Sequence, residues 1–188
     1  TRSRQGYVFA YAQVAFNQLR RYANLQGAVQ KHAQEIEDLR NRLAVGDVPA
    51  TELAPKGWRS FTLQFELEAE QLECKILAVL SSALFLEAYI YDYCARRESG
   101  KFASKYIDKL DPVAKWVLVP RLIVPPGLDQ GHNTFERLRR LFQLRNELVH
   151  HKTKAGGDFT APPEFPPDMH PGDCARLICD LIQMLQDR

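Results

Sequence analysis

The run ILAVLSSALFLEAYIY, residues 76–91, constrains the fold more than any other part of the chain. It shows no strand alternation and is apolar on nearly every side, as the central helix of a bundle must be. It falls short of the roughly 20 apolar residues that span a bilayer, and it contains Ser81, Ser82 and Glu87. It therefore reads as a core helix, the second half of a helical region from about Ser60 to Glu98. The first half of that region is rich in glutamate, with Phe61, Phe65, Leu72 and Ile76 inside the pattern. A carboxylate on the apolar run is costly to bury unless paired. Arg145 is the expected partner of Glu87, and a half-exposed Glu87 bonded to water or a nearby lysine is the alternative.

The remaining segments supply helices to pack around it. Residues 5–45 read as one long helical stretch, with Val29, Ile36 and Leu43 seven apart and Leu39 between. That is under three heptads of coiled-coil pattern, an arm suited to covering the bundle or pairing with another copy. Gly27 is expected to bend it and Gly46 to end it. GDVPATELAPKG, residues 46–57, reads as a linker, so the division expected is an N-terminal helical arm and linker over 1–57 and a bundle over 58–188. Ser99-Gly100 ends the core helix and a short helix follows from Phe102 to Leu110. Asp111-Pro112 has the form of a helix start, an acidic cap followed by proline in the first turn. The helix it opens carries Trp116 as core, is disturbed at Pro120 and is stopped by Pro125-Pro126-Gly127. Asn133 and Glu136 have the spacing of a capping box. The next helix is expected from Thr134 to His151, and a last one from Asp173 to Leu185 after a loop with five prolines over 153–172. That loop is suited to a lid, an interaction surface or a simple connection.

Chemistry concentrates in LFQLRNELVHHK, residues 141–152. At 100° per residue, Asn146 and His150 stack one turn apart and Arg145 flanks them, beside an apolar stripe of Leu141, Leu144 and Leu148. An imidazole exchanges protons at neutral pH. A guanidinium stays charged and grips two phosphate oxygens as charge builds on them. Together they suit cleavage of RNA, whose 2′-hydroxyl is a built-in nucleophile. The plain alternative is a chance spacing, with His150 favouring the C-terminal end of the helix dipole. Between Glu136 and Lys154 six basic residues, among them Arg140, Lys152 and Lys154, stand against two acidic ones. That excess of four exceeds the chain's net charge of +2, so the rest is slightly acidic. Such a patch attracts a polyanion, or else is a solvated basic face. His151 points about 100° away from His150, either to solvent or toward a twin motif in a symmetric dimer.

Arg145, Asn146 and His150 at the end of a helix in a small helical chain resemble the motif of the HEPN superfamily, an arginine, four to six residues, then a histidine. SSALFLEAYIYDY, residues 81–93, resembles that family's other core helix, with Glu87 at its acidic position. The resemblance covers about residues 60–188. It implies an all-α, up-and-down bundle that dimerises and joins two Arg/His motifs. It also implies a metal-independent endoribonuclease of a toxin–antitoxin or defence system with no cofactor, or a non-catalytic interaction or RNA-binding module. An antitoxin or nucleotidyltransferase partner is implied as well. Lys152, however, stands where some members carry the tyrosine that such a transferase modifies.

The four cysteines lack metal-ligand spacing and lie in apolar helical stretches, so buried free thiols are expected. No secretory leader pattern is visible. These features point to a reducing cytoplasm and no membrane.

Overall fold

A computed structural model describes residues 2–46, 50–149, 165–167 and 169–187, and all regular structure in them is helical. In order these are α1 (Arg2–Val45), α2 (Ala50–Arg97), the short α3 (Gly100–Phe102) running into a π turn over Ala103–Ile107, α4 (Pro112–Ile123), α5 (Asn133–Val149) and α6 (Pro171–Gln186). The molecule is an all-α bundle.

α2 is its spine. Val79, Ala83, Leu86, Ile90 and Cys94 are fully buried, and they share one core with Ile107, Trp116, Val119, Phe135, Leu138, Leu141, Leu177 and Leu181. Among the described residues, the segment Gly57–Arg97 is the one long and apolar enough to cross a membrane, and half of its most apolar window is buried inside the bundle. α1 runs back along α2 and also touches α6. Arg21 pairs with Glu70 at 3.1 Å and Glu73 at 3.6 Å, Tyr22 lies beneath the Lys75 ammonium, and Ala15 enters the core.

The two long helices do not behave as one uniform pair. Among the described side chains, Ala15 and Tyr22 are the buried ones of α1, and burial in α2 begins at Cys74. From residue 23 to 46, and across 57–73, no described side chain is fully buried. The outer half of the hairpin is a two-helix stalk. At 1.5 Å per residue it stands roughly 35 Å out from the bundle.

Several boundaries differ from the sequence expectation. The linker of 46–57 is shorter than its prolines and glycines suggest, because α2 begins at Ala50 and includes Pro55 and Gly57. Pro55 lies in the second turn of the helix, where its missing N–H costs a single backbone hydrogen bond. α1 passes through Gly27 without interruption, and α4 continues past Pro120 to Ile123. α5 is entered through His132, whose Nδ1 accepts from the Thr134 N–H at 3.2 Å, in place of an Asn133/Glu136 box. α6 begins at Pro171, two residues early, with the Asp173 carboxylate accepting from the His170 N–H at 3.3 Å. The cap at Asp111 is as expected: its carboxylate accepts from Val113 and Ala114 at 2.9 and 3.2 Å.

Gly127 closes the turn after α4 at φ +85°, a region that side chains with a Cβ rarely adopt. A Cβ there would sit 3.1 Å from both the Cα and the N of Arg121, backbone that cannot yield as a side chain can. Gly127→Ala is expected to cost about 1–3 kcal/mol, whereas Gly27→Ala, in an open helical position, should stabilise by about 0.5–1 kcal/mol. Urea melts of the two variants check both signs.

Cys74, Cys94 and Cys174 are buried free thiols, while Cys179 is exposed on the outer face of α6, contrary to the sequence expectation. Its neighbour Ile178 takes the inward position, and one residue of rotation carries Cys179 out. Burial pushes the Cys174 thiol up to about 12. A thiol reagent at neutral pH should therefore modify Cys179 quickly and reach Cys174 only on unfolding, since thiolate fraction and access both set the rate. Mass mapping of the modified peptides checks the order.

Candidate functional site

The site forms where α2, α4 and α5 meet. Trp116 sets the register of α4 on α2. Its ring is fully buried, stacks on Tyr89 at 6.3 Å, and donates from Nε1 to the Leu86 carbonyl at 3.2 Å. Residues 115 and 87 each adjoin that contact, so Lys115 is delivered to Glu87. Lys115 Nζ donates to Glu87 Oε1 at 2.8 Å, and the lysine side chain is only 3% exposed.

α5 brings the second cation. Phe135, Leu138, Leu141 and Leu144 bury its inner face, which leaves Arg145 at the edge with 26% of its side chain exposed. Arg145 Nη2 stands 3.9 Å from Glu87 Oε2, an ion pair too long for a hydrogen bond. Its Nη1 donates to the Asn146 Oδ1 at 2.7 Å. One carboxylate thus serves two cations, a buried one at short range and a half-open one at longer range. The cluster carries one net positive charge.

The sequence pairing of Glu87 with Arg145 is corrected in emphasis. The close partner is Lys115, and its advantage is geometric, since Trp116 fixes α4 against α2 one residue away. The signal for Lys115 is present in the sequence: it is the one charged residue in PVAKWVLV. Asn146 is exposed and turned to the arginine. Arg140 is exposed on α5, five residues before Arg145 and so about 140° around the helix from it. His150, His151, Lys152 and Lys154 lie outside the described residues.

A second clamp fixes the approach of α6 to α5. Arg137 Nη1 donates to Asp180 Oδ2 and Nη2 to the Asp173 carbonyl, each at 2.9 Å. That bond holds the start of α6 close to α5. The class defined is an all-α bundle with a cation–carboxylate–cation cluster at the edge of its core. Comparison with protein-family models, with curated proteins and with solved structures finds no match.

Proposed function

We propose that this protein is a metal-independent endoribonuclease of HEPN-like type in which Arg145 and His150 act on an RNA phosphodiester at a groove between two copies. The observation that supports it is the half-open Arg145 guanidinium. It is steadied by Asn146 and shares its only nearby carboxylate among the described residues with a buried lysine. A net positive charge at a half-covered rim is what a phosphate requires. In the reaction the 2′-hydroxyl oxygen bonds to phosphorus and the 5′-oxygen leaves. His150 serves as general base for the 2′-hydroxyl proton or as general acid for the leaving oxygen. Arg145 stabilises the charge on the non-bridging oxygens. The products are a 2′,3′-cyclic phosphate and a 5′-hydroxyl. In a toxin–antitoxin or defence setting, an antitoxin would then cover the groove, and a cytoplasmic location would follow.

The test is incubation with several RNA classes in the presence of a chelator, followed by end-group analysis. Intact RNA throughout would end the enzyme proposal. A second reading, a non-catalytic interaction or RNA-binding module, draws support from the same cluster, because Arg145 is already engaged by Asn146 and Glu87. It expects Arg145→Ala to loosen the bundle, whereas the enzyme reading expects a folded, silent variant.

A further inference from the structure

Glu87 is a rival of any phosphate for Arg145. A carboxylate and a phosphate make the same demand on a guanidinium, two oxygens set against a planar fork of N–H donors. A carboxylate left free beside a guanidinium closes to about 2.7–2.9 Å. Glu87 does not close on Arg145. Its Oε2 stands 3.9 Å from Arg145 Nη2, while its Oε1 accepts from the Lys115 ammonium at 2.8 Å. The lysine side chain is 3% exposed and the arginine side chain 26%. The covered cation has the short bond, and the cation that a ligand can reach has the long one.

We infer that Lys115 is a positioning residue for phosphate binding: by holding Glu87 it keeps the Arg145 guanidinium open to an RNA phosphate. Lys115 is too deeply covered to meet a phosphate itself, so it acts through Glu87. The ammonium is fixed in place because Trp116, the next residue, donates to the Leu86 carbonyl, one residue before Glu87. Asn146 Oδ1 accepts from Arg145 Nη1 at 2.7 Å and steadies the fork without cancelling its charge, since the amide is neutral. Without the lysine charge, Glu87 has Arg145 as its remaining cation within ion-pair range among the described residues. The cluster then falls from one net positive charge to none, and a phosphate has to break a direct ion pair to enter. The inference rests on the reading of Arg145 as a phosphate ligand, and it holds whether or not the phosphodiester is cut.

The test is fluorescence-anisotropy binding of a labelled 2′-O-methyl RNA, which keeps the phosphates and lacks the nucleophile, to variants of the full chain. Lys115→Met should bind about 10-fold more weakly than the wild type, the order of one unit charge acting across a partly covered site. Glu87→Leu removes the rival and should bind at least as tightly as the wild type. Both substitutions break the same ion pair, so both lower the melting temperature. A pair that served stability alone would move the two affinities together. Lys115→Met/Glu87→Leu should bind like the wild type, because with no carboxylate to restrain the lysine has no task. Circular dichroism establishes that each variant is folded. If Lys115→Met is not, Lys115→Gln, which keeps a donor without the charge, takes its place with the same expected loss. Undiminished affinity in the folded residue-115 variant, or equal losses in it and in Glu87→Leu, would overturn the inference alone. A wild type that does not bind the oligonucleotide, or whose binding survives Arg145→Ala, would sink the reading of Arg145 as a phosphate ligand and the inference with it.

Discussion

His150→Ala should reduce RNA cleavage by about 10²- to 10⁴-fold, the contribution of a positioned acid or base, with the melting temperature unchanged. Arg145→Ala should reduce it by about 10²- to 10³-fold, the loss of one donor aimed at developing charge. Arg145→Lys should recover little, because an ammonium lacks the planar fork that grips two oxygens. Cleavage of a labelled RNA under single-turnover conditions reads all three. Residual activity within a few-fold of wild type in His150→Ala would remove the imidazole from the chemistry. A large fall in melting temperature in Arg145→Ala, with no cleavage lost beyond the unfolded fraction, would favour the interaction module.

Lys115→Met should destabilise the fold by about 3 kcal/mol, since it leaves Glu87 without its close partner at a largely covered position. For a chain of this size that is a fall in melting temperature of roughly 6–12 °C. The figure sits at the low end for a broken buried pair because Glu87 keeps 30% exposure and some access to water. Glu87→Leu should cost a similar amount, as it strands the lysine, which is 3% exposed. Lys115→Met/Glu87→Leu should return most of the loss, because an apolar pair of similar volume needs no desolvation of charge. Calorimetric melts of the four proteins close the cycle. Additive losses in the double variant would show that the two groups do not act as a pair.

The helical architecture was legible because it rests on local signals. The apolar run of 76–91, the Asp111-Pro112 start and the spacing of Leu177, Ile178, Leu181 and Leu185 each act within a few turns. Errors arose where a local breaker was outweighed. Pro55 and Gly57 lie inside α2, Gly27 inside α1, and in each case neighbouring turns carry the helix across. The candidate site was legible in part. Arg145, Asn146 and Glu87 do come together, since helix spacing and the cost of an isolated carboxylate both point that way. A lysine partner for Glu87 was foreseen as the alternative, but not which lysine, because the pairing of Lys115 depends on how α4 lies on α2. That placement is set by one indole bonded to the Leu86 carbonyl, a contact between residues thirty apart that no periodicity encodes. The stalk escaped for a similar reason: residues 60–73 have the same helical pattern whether or not a core receives them.

α2 is one unbroken helix through both parts of the molecule, with Phe61 in the stalk and Glu87 in the bundle. The two are separated by roughly 39 Å at 1.5 Å per residue. A rod of that length is a lever. A tilt of about 5° that pivots on the core moves the outer end by roughly 3 Å over such a length, so a load on the stalk is transmitted to the same helix that holds Glu87.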